Sequence, residues 1–325
     1  MLAVGSSIGL VSTMVTTVTP EHSSLCRNRA WTRTSLHHFY FTSKNCGNYY
    51  YITFSLKMQV KKGKNMVISS KNNEIIKNIK KLKDKKYREN KFIVEGERIV
   101  EEAIQENVEI SVIVIEESFY NNIEKQDLIK KATKYNTLIV TDKVFLDISD
   151  VKTPQGILAV INKNENKEID KNTPYIMALD NLQDPGNIGT IIRTLDSANI
   201  KQLIVSKGSV DAYSPKVVRS TMGAIFRVNV IEVENLVETM QNLKNSGFEV
   251  VSTSLETDKS IYDISYNKKV VIIGNEANGV SKEILEMSDY KVKIPMLGKT
   301  ESLNASVAAS IMIYEYVREN LNKQS

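Results

Sequence analysis

Three polar runs hold the side chains of this chain that could do chemistry: Asp180 to Arg193, Gly274 to Gly279, and Ile294 to Ala308. The third shows the pattern in full. Tyr290, Val292 and Ile294 alternate with Lys291 and Lys293 as in a strand, Pro295 and Gly298 break it, and helical periodicity resumes after Ser302. Such a loop presents backbone N–H and C=O groups at a strand end and a helix N-terminus, where a polar ligand can be held. Alone, this run reads as an ordinary strand-turn-helix connection. Its recurrence in two further loops rich in Asn and Gly is what points to a site.

The chemistry open to that site is narrow. Both cysteines (Cys26, Cys46), all three histidines (His22, His37, His38) and the single Trp31 precede Met66. From Met66 onward there is no Cys, His or Trp. Ser-His-Asp hydrolysis, cysteine nucleophiles, Cys/His zinc sites and disulfide scaffolds are therefore excluded from that part, and no metal is expected. What is left is Arg, Lys, Asp, Glu, Asn, Ser, Thr and Tyr, or a cofactor. Two familiar phosphate loops also fail. Gly298-Lys299-Thr300 ends like a P-loop, but the glycine required five residues earlier is Lys293, and Gly274 to Gly279 lacks the dinucleotide spacing.

Net charge does not identify a partner. The chain is formally +5, but residues 1–65 hold eight Lys or Arg against the lone Glu21, which leaves about −2 for the remainder. That first segment differs in character from the rest of the chain. It lacks the flank of a secretory signal and is too broken by Gly and Ser to span a membrane. The expectation is an over-extended start ahead of Met58 or Met66, with an organellar transit peptide second; the body is expected to be cytoplasmic and without a membrane span.

The elements that position the loops emerge from periodicity. Lys71 to Lys91 carries Ile75, Ile76, Ile79 and Leu82 at helical spacing among nine basic residues. It reads either as a solvated face or as a phosphate-contacting patch through Lys80, Lys81, Lys85, Lys86 and Arg88. From Phe92 to Asn162 strands and helices alternate: FIVEG, a helix over ERIVEEAIQEN, ISVIVIEE, a helix over 122–134, TLIVTD, a helix over 144–148, and GILAVIN. Residues 163–172 are nearly free of apolar side chains and read as a linker. Strands YIMALD, QLIVS, RVNVIEV, FEVVSTSL, KVVIIGNE and KVKIPM then alternate with helices over 188–198, 215–222, 236–245, 282–287 and 302–321. This is the pattern of a parallel sheet covered by helices on both faces, whose ligands sit at the carboxyl ends of the strands.

Taken together, DNLQDPGNIGTIIRTLDSA (180–198), VVIIGNEANGVS (270–281) and IPMLGKTESLNASVAASI (294–311) resemble the signature motifs of the SpoU (TrmH) class of SPOUT RNA methyltransferases. The 92–162 unit, from VEGERIVEEA to PQGILAVI, resembles the L30-like substrate-binding domain that precedes them. The likeness spans 66–321 and leaves out 1–65. It implies an extension over 1–65, an RNA-binding domain over 66–162, a linker over 163–172, and an α/β SPOUT domain over 173–325 with a C-terminal trefoil knot, a rare topology. It implies S-adenosylmethionine as methyl donor and a ribose 2′-hydroxyl as acceptor, in ribosomal RNA before transfer RNA. It also implies a homodimer whose site is completed across the interface.

The resemblance assigns catalytic positions to Asn187, Arg193, Glu276 and Asn304. An arginine is a poor proton acceptor, its pKa lying above about 12, so Arg193 is expected to orient and stabilise charge on the acceptor. A structural Glu bonded to the Asn187 loop explains Glu276 equally well. Asn304 is an amide within an apolar turn and requires a partner. Gly274, Ile294 and Leu303 are expected to meet the cofactor through backbone groups, with Ser302 and Ser306 beside them; Ser302 reads equally as a helix N-cap. Arg219 and Ser220 match a further segment that could reach RNA or cofactor. A non-catalytic RNA-binding assembly factor of the same fold is the competing reading.

Overall fold

The structure, a computed structural model, describes residues 30–35, 38–42, 67–163 and 168–324. It comprises two compact units, 1–65 and 66–325. In the first, strands β1 (Ala30–Ser35) and β2 (His38–Thr42) pair antiparallel. The questions of start site and transit peptide otherwise lie outside the described residues.

The second unit opens with α1 (Glu74–Lys81), capped by the Asn73 side chain, which accepts from the N–H groups of Ile75 and Ile76. Ile76 and Ile79 are buried, each contributing roughly 1.5–3 kcal/mol, whereas Ile75 is exposed. Next come β3 (Lys91–Glu95), α2 (Glu97–Gln105), β4 (Ile110–Glu116), α3 (Glu117–Tyr120), α4 (Gln126–Ala132), β5 (Thr137–Val140), α5 (Asp142–Ile148) and β6 (Ile157–Asn162). Their sheet has the order β3-β6-β4-β5, with only β4 and β5 parallel. Helix α3 is too short to show periodicity in the sequence, and the helix read over 122–134 is a 3₁₀ turn followed by α4.

Six parallel strands build the larger sheet: β7 (Tyr175–Leu179), β8 (Gln202–Ser206), β9 (Asn229–Val233), β10 (Glu249–Thr253), β11 (Lys269–Ile273) and β12 (Tyr290–Val292). Between them lie α6 (Pro185–Ser197), α7 (Pro215–Thr221), α8 (Leu236–Asn245) and α9 (Lys282–Met287), and α10 (Ala305–Gln324) closes the unit. Side chains alternate across the sheet. Tyr175, Met177 and Leu179 join the core formed with α6, α7 and α10, while Ile176 and Ala178 join that formed with α8 and α9. The first core also takes in Phe92, Val94 and Ile99, and Phe92 packs on Tyr213 with ring centroids 5.0 Å apart.

Strand order, β12-β10-β11-β7-β8-β9, positions the site. The chain moves outward from β7 to β9, then crosses to the far side and builds β10, β11 and β12. The order reverses between β7 and β11, and a crevice opens at the carboxyl ends of strands at such a switch point. The loops that leave these two strands are the runs beginning at Asp180 and Gly274.

Candidate active site

The first two loops form one hydrogen-bonded body. The Asp180 N–H donates to Ile273 O at 2.9 Å, and the buried Asp180 carboxylate accepts from Ser281 N at 2.8 Å. Asn275 folds its own loop, its Oδ1 accepting from Ala277 N at 2.9 Å and Asn278 N at 3.1 Å, and its Nδ2 donates to Asn181 O at 2.8 Å. Asp184 is the N-cap of α6, accepting from Asn187 N at 3.0 Å, with Pro185 in the first turn. The helix therefore begins at Pro185 and not at 188; the Asp-Pro-Gly run is its cap and first turn.

Glu276 is the centre of this body. Its Oε1 accepts from Asn187 Nδ2 at 2.9 Å and Asp184 N at 3.1 Å, and its Oε2 from Gln183 N at 3.2 Å. Burial pushes its pKa up, but the hydrogen bonds from Asn187, Gln183 and Asp184 outweigh this and hold it below the ordinary carboxylate value. A carboxylate so occupied is a poor proton acceptor and a good clamp. The structure thus brings Asn187 and Glu276 together. We expect Glu276→Gln, which replaces an acceptor oxygen by an NH₂ facing N–H donors, to weaken cofactor binding about tenfold, as read by calorimetry. Each lost charge-assisted bond is worth on the order of 1 kcal/mol at this exposed position.

Arg193 lies elsewhere on α6. Six residues from Asn187, it is displaced about 120° around the helix and is exposed. Its guanidinium has no hydrogen-bond or ion-pair partner among the described residues. Asp196, a potential neighbour, pairs instead with Arg227 at 2.8 Å, and Asp184 caps the helix.

The third loop joins the others through helix packing. Asn304, not Ser302, caps α10: its Oδ1 accepts from Ser306 N at 2.9 Å and Ser306 Oγ at 2.7 Å. Helix α10 therefore starts at Ala305 rather than Ser302, and Ser306 is buried with its hydroxyl committed to this cap. Asn304 Nδ2 has no partner among the described residues. Thr194 and Ser310 hydroxyls, 3.2 Å apart, bind α6 to α10. Ile294 and Leu303 are half-buried, and from Pro295 to Leu303 no backbone group makes a hydrogen bond among the described residues.

The expected RNA contacts divide. Lys80 pairs with Asp147 at 2.9 Å, Lys85 with Glu232 at 2.7 Å and Arg219 with Asp150 at 2.9 Å. Lys81 and Lys86 each place an ammonium group over the Tyr87 ring. One expectation requires correction. Arg88 is buried, ion-paired to Asp211 and bonded to Leu82 O and Lys83 O, so it cannot reach RNA. Ser220 is packed against Gly189, where a Cβ would lie 1.9 Å from its Oγ, and it donates to Val217 O at 2.7 Å. Sequence reasoning missed Asp180 and Asp211. The signal available for Asp180 was a carboxylate closing an otherwise apolar strand; for Asp211 there was none.

Comparison with known proteins places these loops in context. Residues 174–314 match the SpoU rRNA Methylase family, and 73–159 match an MRM3-like substrate binding domain. The chain is 33% identical over 250 residues to the 23S rRNA (guanosine(2553)-2'-O)-methyltransferase RlmP of Bacillus subtilis (strain 168), covering 76% of this chain and 97% of that one. An AdoMet-bound rRNA methyltransferase from Sinorhizobium meliloti superposes with a TM-score of 0.68 at 28% identity, over 78% of this chain and 98% of its own. The SpoU methyltransferase AviRb from Streptomyces viridochromogenes, in complex with AdoMet, gives 0.69 at 25% identity, over 77% and 98%.

Proposed function

We propose a function from one premise: the chain belongs to the SpoU rRNA Methylase family. It is an S-adenosylmethionine-dependent RNA 2′-O-methyltransferase. Our reading is that its acceptor is ribosomal RNA, in keeping with the name of the Bacillus subtilis relative, and that residues 66–162 hold the RNA, 163–172 link, and 173–325 catalyse. A ribosomal substrate is also our reason for assigning it to the cytoplasm. The observation that carries the reading is the Glu276 clamp, which welds the loops after β7 and β11 at the switch point of the sheet.

The residues present fit the cofactor. An adenosine and an amino acid ask for backbone donors and acceptors, and the 295–303 loop has them unspent. Gly274, Ile294 and Leu303 would hold it through their main chain, with Ser302 alongside. When bound, the cofactor supplies a methyl group on a sulfonium, an electrophile that requires neither a metal nor a covalent enzyme intermediate. The chain's part is positioning and charge stabilisation. Asn187, fixed by Glu276, and Asn304 through its free amide would orient the acceptor ribose, and Arg193 would bind its phosphate.

Arg193 points away from Asn187 and Glu276, so one protomer does not bring these groups to one point. Next to it, Thr190, Ser306, Val307, Ser310, Ile311 and Tyr314 line a shallow apolar groove between α6 and α10, with Val307 and Tyr314 about half exposed. A second copy covering this face would deliver Arg193 into the partner's site. Accordingly, Val307→Asp is expected to convert a dimer into a folded monomer with at least tenfold lower activity, as seen by light scattering, circular dichroism and methyl transfer.

The test is incubation with total RNA and a labelled methyl donor, with size fractionation of the products. Label in ribosomal RNA is expected; label confined to transfer RNA would redirect the substrate assignment, and no label in any RNA would overturn the reading.

A further inference from the structure

Tyr87 is exposed to 46%, the only aromatic ring of the basic segment 71–91. Lys81 Nζ lies 5.8 Å and Lys86 Nζ 4.9 Å from its ring centroid. An exposed aromatic ring with two ammonium groups over it has the composition that nucleic-acid surfaces use, where a base replaces the lysines on the ring and the cations move to the flanking phosphates. Two acids offset part of the charge: Asp84 lies 3.4 Å from Lys86, and Glu232 pairs with Lys85. Lys81 has no such partner among the described residues.

The ring is also held in place relative to the catalytic loops. Its neighbour Arg88 is buried and paired with Asp211, whose other oxygen accepts from Tyr213 N at 2.8 Å. One residue before Asp211, Val210 N donates to Leu182 O at 2.9 Å, and Leu182 belongs to the first loop of the site. A short chain of bonds therefore connects the segment that carries Tyr87 to the loop that carries Asn187. This also accounts for a basic segment spending an arginine in the interior: Arg88 anchors what Tyr87 and Lys81 present.

We propose that Tyr87, flanked by Lys81 and Lys86, is a stacking platform for an unpaired base of the substrate RNA, set at a fixed distance from the methylated ribose. This rests on the RNA-methyltransferase reading above and adds to it a place where single-stranded character is recognised. Double-stranded RNA buries its base faces and offers nothing to such a ring.

The experiment compares the full chain with Tyr87→Leu and Tyr87→Phe on a single-stranded RNA dodecamer carrying a 2-aminopurine and on a blunt RNA duplex of the same length. Tyr87→Leu is expected to bind the single strand roughly tenfold or more weakly and to lose the quenching of 2-aminopurine, with duplex affinity within about twofold of wild type. Tyr87→Phe keeps both. S-adenosylmethionine affinity, measured by calorimetry, stays constant across the three and reports an intact fold. Tyr87→Leu binding the single strand like wild type, or losing both RNAs equally, overturns the platform while leaving the enzyme assignment standing. A wild-type protein that binds the cofactor and neither RNA also overturns the platform, while the enzyme assignment is decided by methyl transfer to total RNA.

Discussion

Replacing Arg193 with alanine should lower methyl transfer by about 10²–10³-fold and leave S-adenosylmethionine affinity within about twofold of wild type. The side chain is exposed and unpartnered among the described residues, so its loss leaves no buried group unsatisfied and costs little stability. It lies on a different face of α6 from Asn187, whose amide is tied to Glu276, so the loops expected to hold the cofactor do not feel its removal. On the proposed reading, what is lost is a cation that would hold the acceptor's phosphate in the transition state. The geometry adds a sharper form of the result. If the partner protomer uses this arginine, mixing Arg193→Ala with Asn187→Ala should restore activity, because one site of each mixed dimer receives both residues. Neither variant alone should show it. Loss of cofactor binding in Arg193→Ala would show instead that the arginine belongs to the cofactor's own enclosure.

Gly274→Ala should abolish cofactor binding and lower the thermal midpoint by roughly 6–12 °C. A Cβ at this position would stand 2.0 Å from the Gly279 carbonyl carbon and 2.1 Å from Val280 N, both backbone atoms. They cannot step aside cheaply. Asn275 and Gly279 exchange two backbone hydrogen bonds of 2.9 Å, Gly279 sits at φ 71°, and Ser281 N is held by Asp180. Relief requires the turn to open, at a cost of roughly 3 kcal/mol or more, and an open turn no longer presents Glu276 to Asn187. A calorimetric titration combined with a thermal melt checks both halves.

The alternation of apolar runs was sufficient to read the parallel sheet, because a strand buried on both faces is apolar along its centre, as residues 176–179 and 270–273 are. The loops were legible for the opposite reason: Asn, Gly and Pro stand where the chain must turn. Boundaries were less so. Ser302 and Asn304 are both good caps, and only the packing of α10 on α6 selects Asn304. Charge was the least legible. In the sequence Arg88 is one basic residue among nine, and its burial depends on Asp211, 123 positions away. Separations of 67 and 147 positions likewise hid the division between Lys81, which faces solvent, and Lys80 and Lys85, which are paired to Asp147 and Glu232.

The central claim is transfer of a methyl group to a ribose hydroxyl, and the product states it directly. Ribosomal RNA methylated by the purified protein with a labelled donor should be digested to nucleosides and separated. All label in a single 2′-O-methylnucleoside, absent when Arg193→Ala replaces the wild type, is the expected result. Label in a base-methylated nucleoside would contradict the account.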